Sequence, residues 1–347
     1  MEEVLEKLLD NFSNLMEKAL KYLNTKYKFR YADLRLSFLF KRSFGFSNIH
    51  YPYESRVLKG FCVRLLNSSW GFSYTSDINI NSIKRCINIS YKMSKIINKK
   101  VNYPITMKYV PQESSYVKII DDSFYEIDEK ILFAKHIFKT LNCEKIVDMC
   151  VVDFGERLLL DIMCNPYGAF IAQIISKERL MIQLWSKEKG GIKLHESWGV
   201  SGDSLCNKLS FKEDIEPLLV KLVNKTKARR VSPGFYDVVA GPHVMSTIVH
   251  ECIGHNIEAD TVVWEHSLFS DLIGKKITNE QVTIIDDPTI RGAFGFYVYD
   301  HECVKAKRTK IIEQGVLKKF IHSIETASIL KVMPTGHARA GSFKIYL

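Results

Sequence analysis

The chain has 347 residues, 46% hydrophobic and 25% charged, an ordinary globular balance that excludes a disordered chain and gives length enough for two cores. No stretch approaches the roughly 18 uncharged apolar residues of a membrane helix, Met1-Glu2-Glu3 is unlike a signal peptide, and eight cysteines without a C-x-x-C pair fit reduced thiols, so a cytoplasmic protein is expected. A formal net charge of +10 admits nucleic acid, acidic peptides or a partner subunit, but the dense basic cluster Lys221–Arg230 comes with no nucleic-acid motif and reads as a solvated face.

In chain order, Glu2–Leu23 places Leu5, Leu8, Leu9, Phe12, Leu15, Met16 and Leu20 at three- and four-residue steps, which predicts an amphipathic helix. Tyr31–Phe40 alternates as a strand and is followed by a predicted loop rich in serine, glycine and aromatics through Tyr53. Residues 57–75 read as a hairpin turning at Asn67-Ser68-Ser69, and Asn81–Asn98 as a second helix. Val101–Ser123 is polar and predicts a loop, and Ile127–Leu141 predicts a third helix. Lys145–Phe154, Leu158–Asn165, Gly168–Ser176 and Leu180–Ser186 predict short strands, with their clearest turn at Asn165-Pro166-Tyr167-Gly168. Phe211–Asn224 predicts a helix running into the basic cluster, and Ser232-Pro233-Gly234 is the best linker. The expected fold class is α+β: an N-terminal helix and antiparallel-sheet domain over 1–228, then a mainly β C-terminal domain over 229–347.

Phe235–Ala240 predicts a strand, and Pro242 opens a helix where proline fits the first turn. That helix leads into VHECIGHNIEAD, which sets His250, Glu251 and His255 within six residues. Neutral imidazole nitrogen is a good zinc ligand, and a carboxylate beside the metal can take a proton from bound water, the pairing that hydrolysis at neutral pH requires. The familiar zincin spacing is four, here it is five; five ideal helical steps turn a side chain by about 140° and four by about 40°. Both rings reach one ion only if the helix is irregular, through a π-bulge or a break, and Gly254 sits where such a departure is cheapest. His243, about 10.5 Å from His250 along an ideal helix, reads as structural, and Cys252 points to the opposite face. Glu258 or Asp260 is close enough to hold the free ring nitrogen of a ligand histidine, or is simply an exposed carboxylate.

Further on, Thr283–Pro288 predicts a strand entering a turn at Asp286-Asp287, Arg291–Gly295 is flexible enough to approach a ligand, and Lys310–Ile321 predicts a hairpin around Glu313-Gln314-Gly315. His266 and Asp271 carry no comparable spacing signal.

The runs YDVVAGPHVMSTIVHECIGHNIEAD, SLFSDLIGKKITNEQVTIIDDPTIRGAFGFYVYD, RTKIIEQGVLKKFIHS and ETASILKVMPTGHARAGS resemble the TldD/PmbA family of metalloproteases, on the TldD side. YADLRLSF, GFCVRLLNSSWGFSYTSD and LLLDIMCNPYGAFIAQ extend the resemblance more weakly into the N-terminal half. It implies a cytoplasmic zinc peptidase that trims unfolded or flexible peptides in a closed chamber of paired subunits, with His250 and His255 binding zinc and Glu251 as general base. The family's third ligand is a cysteine further toward the C-terminus than Leu347, so the expectation is a shortened chain or a lost ligand. Cys303, the one cysteine after the motif, falls where the family's glycine is expected and is either a substitute ligand or an inert thiol. His337 stands where asparagine is common, and Arg339 is a candidate to hold a peptide carboxylate. Two readings stay open: a zinc-dependent peptidase, and a non-catalytic or degenerate subunit of a TldD/PmbA-type complex. The expected partners are peptide substrates and a like subunit in a homo- or hetero-oligomer, with neither membrane nor nucleic acid.

Overall fold

The computed structural model describes residues 2–49, 53–96, 101–121, 124, 126–187, 193–229 and 231–339. Its N-terminal part is a seven-stranded sheet built from β1 (Tyr31–Ser47), β2 (Tyr53–Leu66), β3 (Trp70–Thr75), β4 (Ser114–Ile119), β5 (Met149–Cys164), β6 (Phe170–Lys187) and β7 (Lys193–Gly202). The strand order is β3-β2-β1-β5-β6, and the far edge of β6 pairs with β4 along Phe170–Ile175 and with β7 along Glu178–Lys187. Every pairing is antiparallel except β4 with β6.

Alternation along the strands separates two faces. Ala32, Leu34 and Leu36 of β1 pack with Met16, Ala19 and Leu23 of α1 (Glu2–Lys26) and with Ile83 and Ile87 of α2 (Ile80–Ser94). Further along the same face, Phe44, Phe154, Leu180 and Ile182 pack with Ala134, Ile137 and Leu141 of α3 (Ile127–Asn142). After the one-turn α4 (Leu205–Lys208), α5 (Glu216–Lys227) closes that second core with Leu218 and Leu222. Between the cores lies a buried ionic waist. Glu156 and Glu178 stand directly opposite each other on β5 and β6, a repulsive pair, and Lys130 of α3 bridges both, reaching Glu178 at 2.5 Å. Arg42 supplies a second cation to Glu156.

Four expectations are corrected by this architecture. The loop expected after Phe40 is strand through Ser47, because Phe44 lies opposite Phe154 and stacks on it with ring centroids 5.3 Å apart. The short strands expected on either side of residues 155–157 and 177–179 are continuous, because Glu156 and Glu178, which look like breakers, point inward to Lys130. The loop expected over 101–123 contains β4, a half-exposed edge strand whose serines hid it. Phe235–Ala240 is no strand: Phe235 and Val239 are fully exposed and no described sheet edge pairs with them, so β propensity has nothing to act on.

The opposite face of the sheet is covered by the C-terminal part, which contains α6 (Pro242–Ile248), α7 (Ala259–Val263), a small sheet of β8 (Ile284–Asp286), β9 (Thr309–Glu313) and β10 (Val316–Leu317), and α8 (Ile324–Leu330). Met163, Ala169 and Ile171 pack with Tyr299 and Cys303, while Tyr31 and Leu66 pack with Val304, Ile324 and Ala327. A polar clamp joins the two parts. Arg64 of β2 donates to Asp33 of β1 at 2.6 Å and to Glu302 at 2.7 Å, and the other oxygen of Glu302 accepts from the Ile324 amide at 2.6 Å. Glu302 is fully enclosed, so Arg64→Met leaves a buried carboxylate unpaired and should cost roughly 3–5 kcal/mol. Arg179→Met, which breaks the exposed pair with Asp153, should cost less than about 1 kcal/mol. Urea unfolding of the two variants checks this, and equal losses would contradict the clamp.

Candidate metal centre and adjoining cavity

Helix α6 starts with Pro242 in its first turn and passes into a π-helical turn over Val249–Gly254. There the His255 amide donates to the His250 carbonyl, five residues back, at 3.3 Å. This is the irregularity that the five-residue spacing demanded. The widened turn brings the rings of His250 and His255 to a centroid separation of 4.8 Å, inclined by 70°. One donor atom from each of His250, Glu251 and His255 lies within 4.8 Å of the others, and all three residues are exposed. Gly254 keeps a right-handed backbone, and a Cβ there would meet only the Val249 carbonyl at 3.7 Å and His250 Nδ1 at 3.9 Å. The widening therefore needs no left-handed glycine.

The segment after the turn fixes one ring. His255 Nδ1 lies 3.2 Å from Glu258 Oε1, where it donates to the carboxylate, and Nε2 faces Glu251 at 3.9 Å. Glu258 is held by a backbone bridge: Ile321 donates to the Ile257 carbonyl at 2.9 Å and receives from the Ala259 amide at 3.0 Å. Ile257, Ala259 and Val262 anchor this segment against Ile312, Leu317 and Phe320. Asp260 does not reach the rings; its side chain accepts from the Thr261 amide at 3.0 Å.

Other expected positions fall apart from the trio. Cys303 is corrected as a ligand candidate: it is buried among Met163, Ala169, Ile171 and Tyr299, and burial pushes its thiol well above the ordinary range. Its φ of +65° is left-handed, which accounts for a glycine being expected there. Cys252 is exposed and outside the trio, and so is His243, whose carbonyl accepts from Ser246 at 2.8 Å. Asp287 caps its own turn through the Thr289 amide at 3.0 Å, and Arg291 comes no nearer to Asp203 than 4.0 Å. Asp286 lies 3.1 Å from His337 Nε2.

Beside the trio opens a cavity of about 920 Å³ between the outer face of β1–β3 and the C-terminal part. Its floor is the polar side of the alternating run Ala32-Asp33-Leu34-Arg35-Leu36-Ser37, and Glu258, Ala259 and Asp260 form the wall nearest the motif. The far wall carries His301, His322, His337 and Arg339. The loop bearing Arg339 is pinned: Gly336 has φ +75° with the Lys305 carbonyl 2.3 Å from where a Cβ would be, and Asp300 accepts from the Ala338 amide at 3.0 Å. Sequence reasoning passed over His301 and His322, which carry no spacing signal; only the tertiary fold brings them to this wall.

Burial, and then Arg35, Arg339 and Arg64, hold His301 well below the ordinary histidine range. Burial alone pulls His322 down to about 4. A depressed folded value means that the folded state binds fewer protons than the unfolded chain. The stability contributed by neutral His322 is therefore complete above pH 6.5 and is lost as pH falls toward 4. Acid destabilisation over that window, at most about 3 kcal/mol from this group, should be reduced in His322→Gln. Identical pH profiles of melting temperature would contradict it.

Residues 233–346 match the family described as PmbA/TldA metallopeptidase C-terminal domain. A protein of Methanocaldococcus jannaschii named a metalloprotease is 31% identical over 328 residues, covering 89% of this chain and 70% of its own length. A protein of Saccharolobus solfataricus named a zinc metalloprotease TldD homolog is 27% identical, covering 83% of this chain and 63% of its own length. The crystal structure of TldE from Thermococcus kodakarensis shares the fold with a TM-score of 0.73 at 17% identity, over 95% of this chain and 74% of that one. The chain thus spans about two thirds to three quarters of these relatives.

Proposed function

Because the chain belongs to the TldD/PmbA family, we propose that it is a zinc-dependent peptidase acting on unfolded or flexible peptides, with His250 and His255 as metal ligands and Glu251 as general base. The observation that carries this reading is the π-helical turn, which places two imidazoles and a carboxylate within 4.8 Å of one another despite their five-residue spacing. The donor set fits zinc. Two nitrogens on a tetrahedral zinc with ~2.1 Å bonds lie about 3.4 Å apart, and rotation of exposed side chains closes the remaining gap. When bound, zinc supplies Lewis acidity that makes water nucleophilic near neutral pH and polarises the scissile carbonyl. Glu251 Oε2 takes the proton from the attacking water and delivers it to the departing amine nitrogen. Glu258 keeps the His255 ring turned so that Nε2 faces the metal side.

Catalytic zinc takes three protein ligands, and no further histidine, cysteine or carboxylate joins this trio among the described residues. In this reading a partner subunit is a source of the third. Helix α6 and the π turn bury none of their residues, and Val238, Val244 and Ile248 are exposed, which favours a like subunit, identical or related, closing over this face. Eight unpaired cysteines, and the absence among the described residues of a helix long and apolar enough to cross a membrane, support a cytoplasmic setting. A second reading, a non-catalytic or degenerate subunit, draws on the same incomplete ligand set.

Zinc content and hydrolysis of an unfolded labelled peptide separate the two. Glu251→Gln should retain zinc while kcat falls by about 10²–10⁴, and His255→Ala should lose the metal. Glu258→Ala should weaken zinc affinity by about 10–100-fold. Zinc-free protein without turnover would select the degenerate subunit, and full turnover in Glu251→Gln would remove the general base.

A further inference from the structure

The cavity beside the trio is lined by three arginines and five carboxylates, but its charges are unevenly paired. Arg35, Arg64 and Arg339 all act on His301 in its wall. Only Arg64 is neutralised, by Asp33 and Glu302. Arg35 contacts His301 Nδ1, and Arg339 lies over the Tyr297 ring at 4.5 Å from its centroid; neither meets a carboxylate among the described residues. Lys177, which does not line the cavity, also feels Arg339. Lys177 is pulled down to about 7 by burial, then by Arg157 and Arg339, and its Nζ is spent on the Phe294 and Phe296 carbonyls at 2.5 and 2.6 Å.

The other acids of the cavity keep their charge but are turned to neutral donors, away from Arg35 and Arg339 in their hydrogen bonding. Glu325 accepts from Trp70 Nε1 at 2.6 Å, Glu258 from His255, and Asp260 from the backbone. His337 adds an unmet polar group. Its side chain is only 5% exposed, Nδ1 has no hydrogen-bond partner among the described residues, and Nε2 lies 3.1 Å from Asp286 without hydrogen-bond geometry. Two uncompensated guanidiniums in a partly dehydrated wall are costly alone and strong binders of a planar anion, which they can grip with forked donors.

We propose that Arg35 and Arg339 form a carboxylate-binding subsite in this cavity, which seats a peptide by a carboxylate while its backbone extends past Glu258 toward the His250–Glu251–His255 trio. The inference deepens the peptidase reading and rests on it for the identity of the ligand as a peptide. The carboxylate is either the peptide's own C-terminus or an acidic side chain. In the first case the chain selects free ends, and in the second it selects acidic sequences.

The test is fluorescence anisotropy with the full chain carrying Glu251→Gln, which keeps the probe uncut. Three labelled, unstructured octapeptides are compared: one with a free C-terminal carboxylate, its C-terminal amide, and the amide with one internal glutamate. The free acid should bind at least about tenfold more tightly than its amide, the scale of one charge-assisted hydrogen bond. Tight binding of the glutamyl amide as well assigns the site to carboxylates generally, and its failure assigns it to chain ends. Arg339→Gln and Arg35→Gln should each erase the discrimination, and Arg339→Lys should restore part of it in a protein with an unchanged circular dichroism spectrum. Equal affinity for all three peptides, or discrimination that survives Arg339→Gln, overturns the subsite. Hydrolysis by the unsubstituted chain is scored separately: cleavage without carboxylate preference defeats this inference alone, and carboxylate-dependent binding without cleavage defeats the peptidase reading alone.

Discussion

Arg64 holds the two halves of the molecule in register. Its guanidinium is shared between Asp33 on the neighbouring strand and Glu302, 238 residues further along the chain. Glu302 in turn binds the amide of Ile324 at the start of α8, just after the short segment whose Ile321 bridges Glu258. Glu258 then holds the ring of His255. Charge-assisted and backbone hydrogen bonds, joined by the short covalent run from Ile321 to Ile324, thus link the sheet to His255, one of the candidate ligands. The clamp is buried at Glu302, so its bonds are little weakened by water and its loss leaves a charge without solvent.

The sheet is covered on both faces, by helices on one and by the C-terminal part on the other, and its polar residues have been drawn into fixed roles. On the helix face, Lys130 reconciles two glutamates that would otherwise repel across adjacent strands. On the other face, Asp33, Arg35 and Ser37 become a cavity floor instead of a solvated surface. The same alternation that buries Leu34 and Leu36 under α1 and α2 therefore presents a charged row to the space beside the motif.

Much of this was legible in residues of strong local pattern. The helical stripe of α1, the turn at Asn67-Ser68-Ser69, the proline at the start of α6 and the hairpin at Gln314-Gly315, where both residues have positive φ, follow from local rules that tertiary packing did not override. The readings that failed share a cause. Charges at Glu156 and Glu178 and serines in β4 look like breaks when solvent is assumed around them, and in the fold each has a partner distant in sequence. Phe235–Ala240 failed in the other sense, since apolar alternation makes a strand only beside another strand.

Taken alone, the sequence singled out His250, Glu251 and His255 as the candidate site. Imidazoles five apart beside a carboxylate can share an ion only on a distorted helix, and that constraint is local and covalent. It also determined that Arg35 and Asp33 lie on the opposite side of β1 from the leucines. The tertiary structure alone decided that Cys303 is sealed in the core, that Glu258 and not Asp260 reaches His255, and that Arg35 and Arg339, some three hundred residues apart, converge on His301. Those outcomes depend on how two faces dock. Docking is set by the summed burial and charge pairing of residues far apart in the chain, for which no short pattern exists.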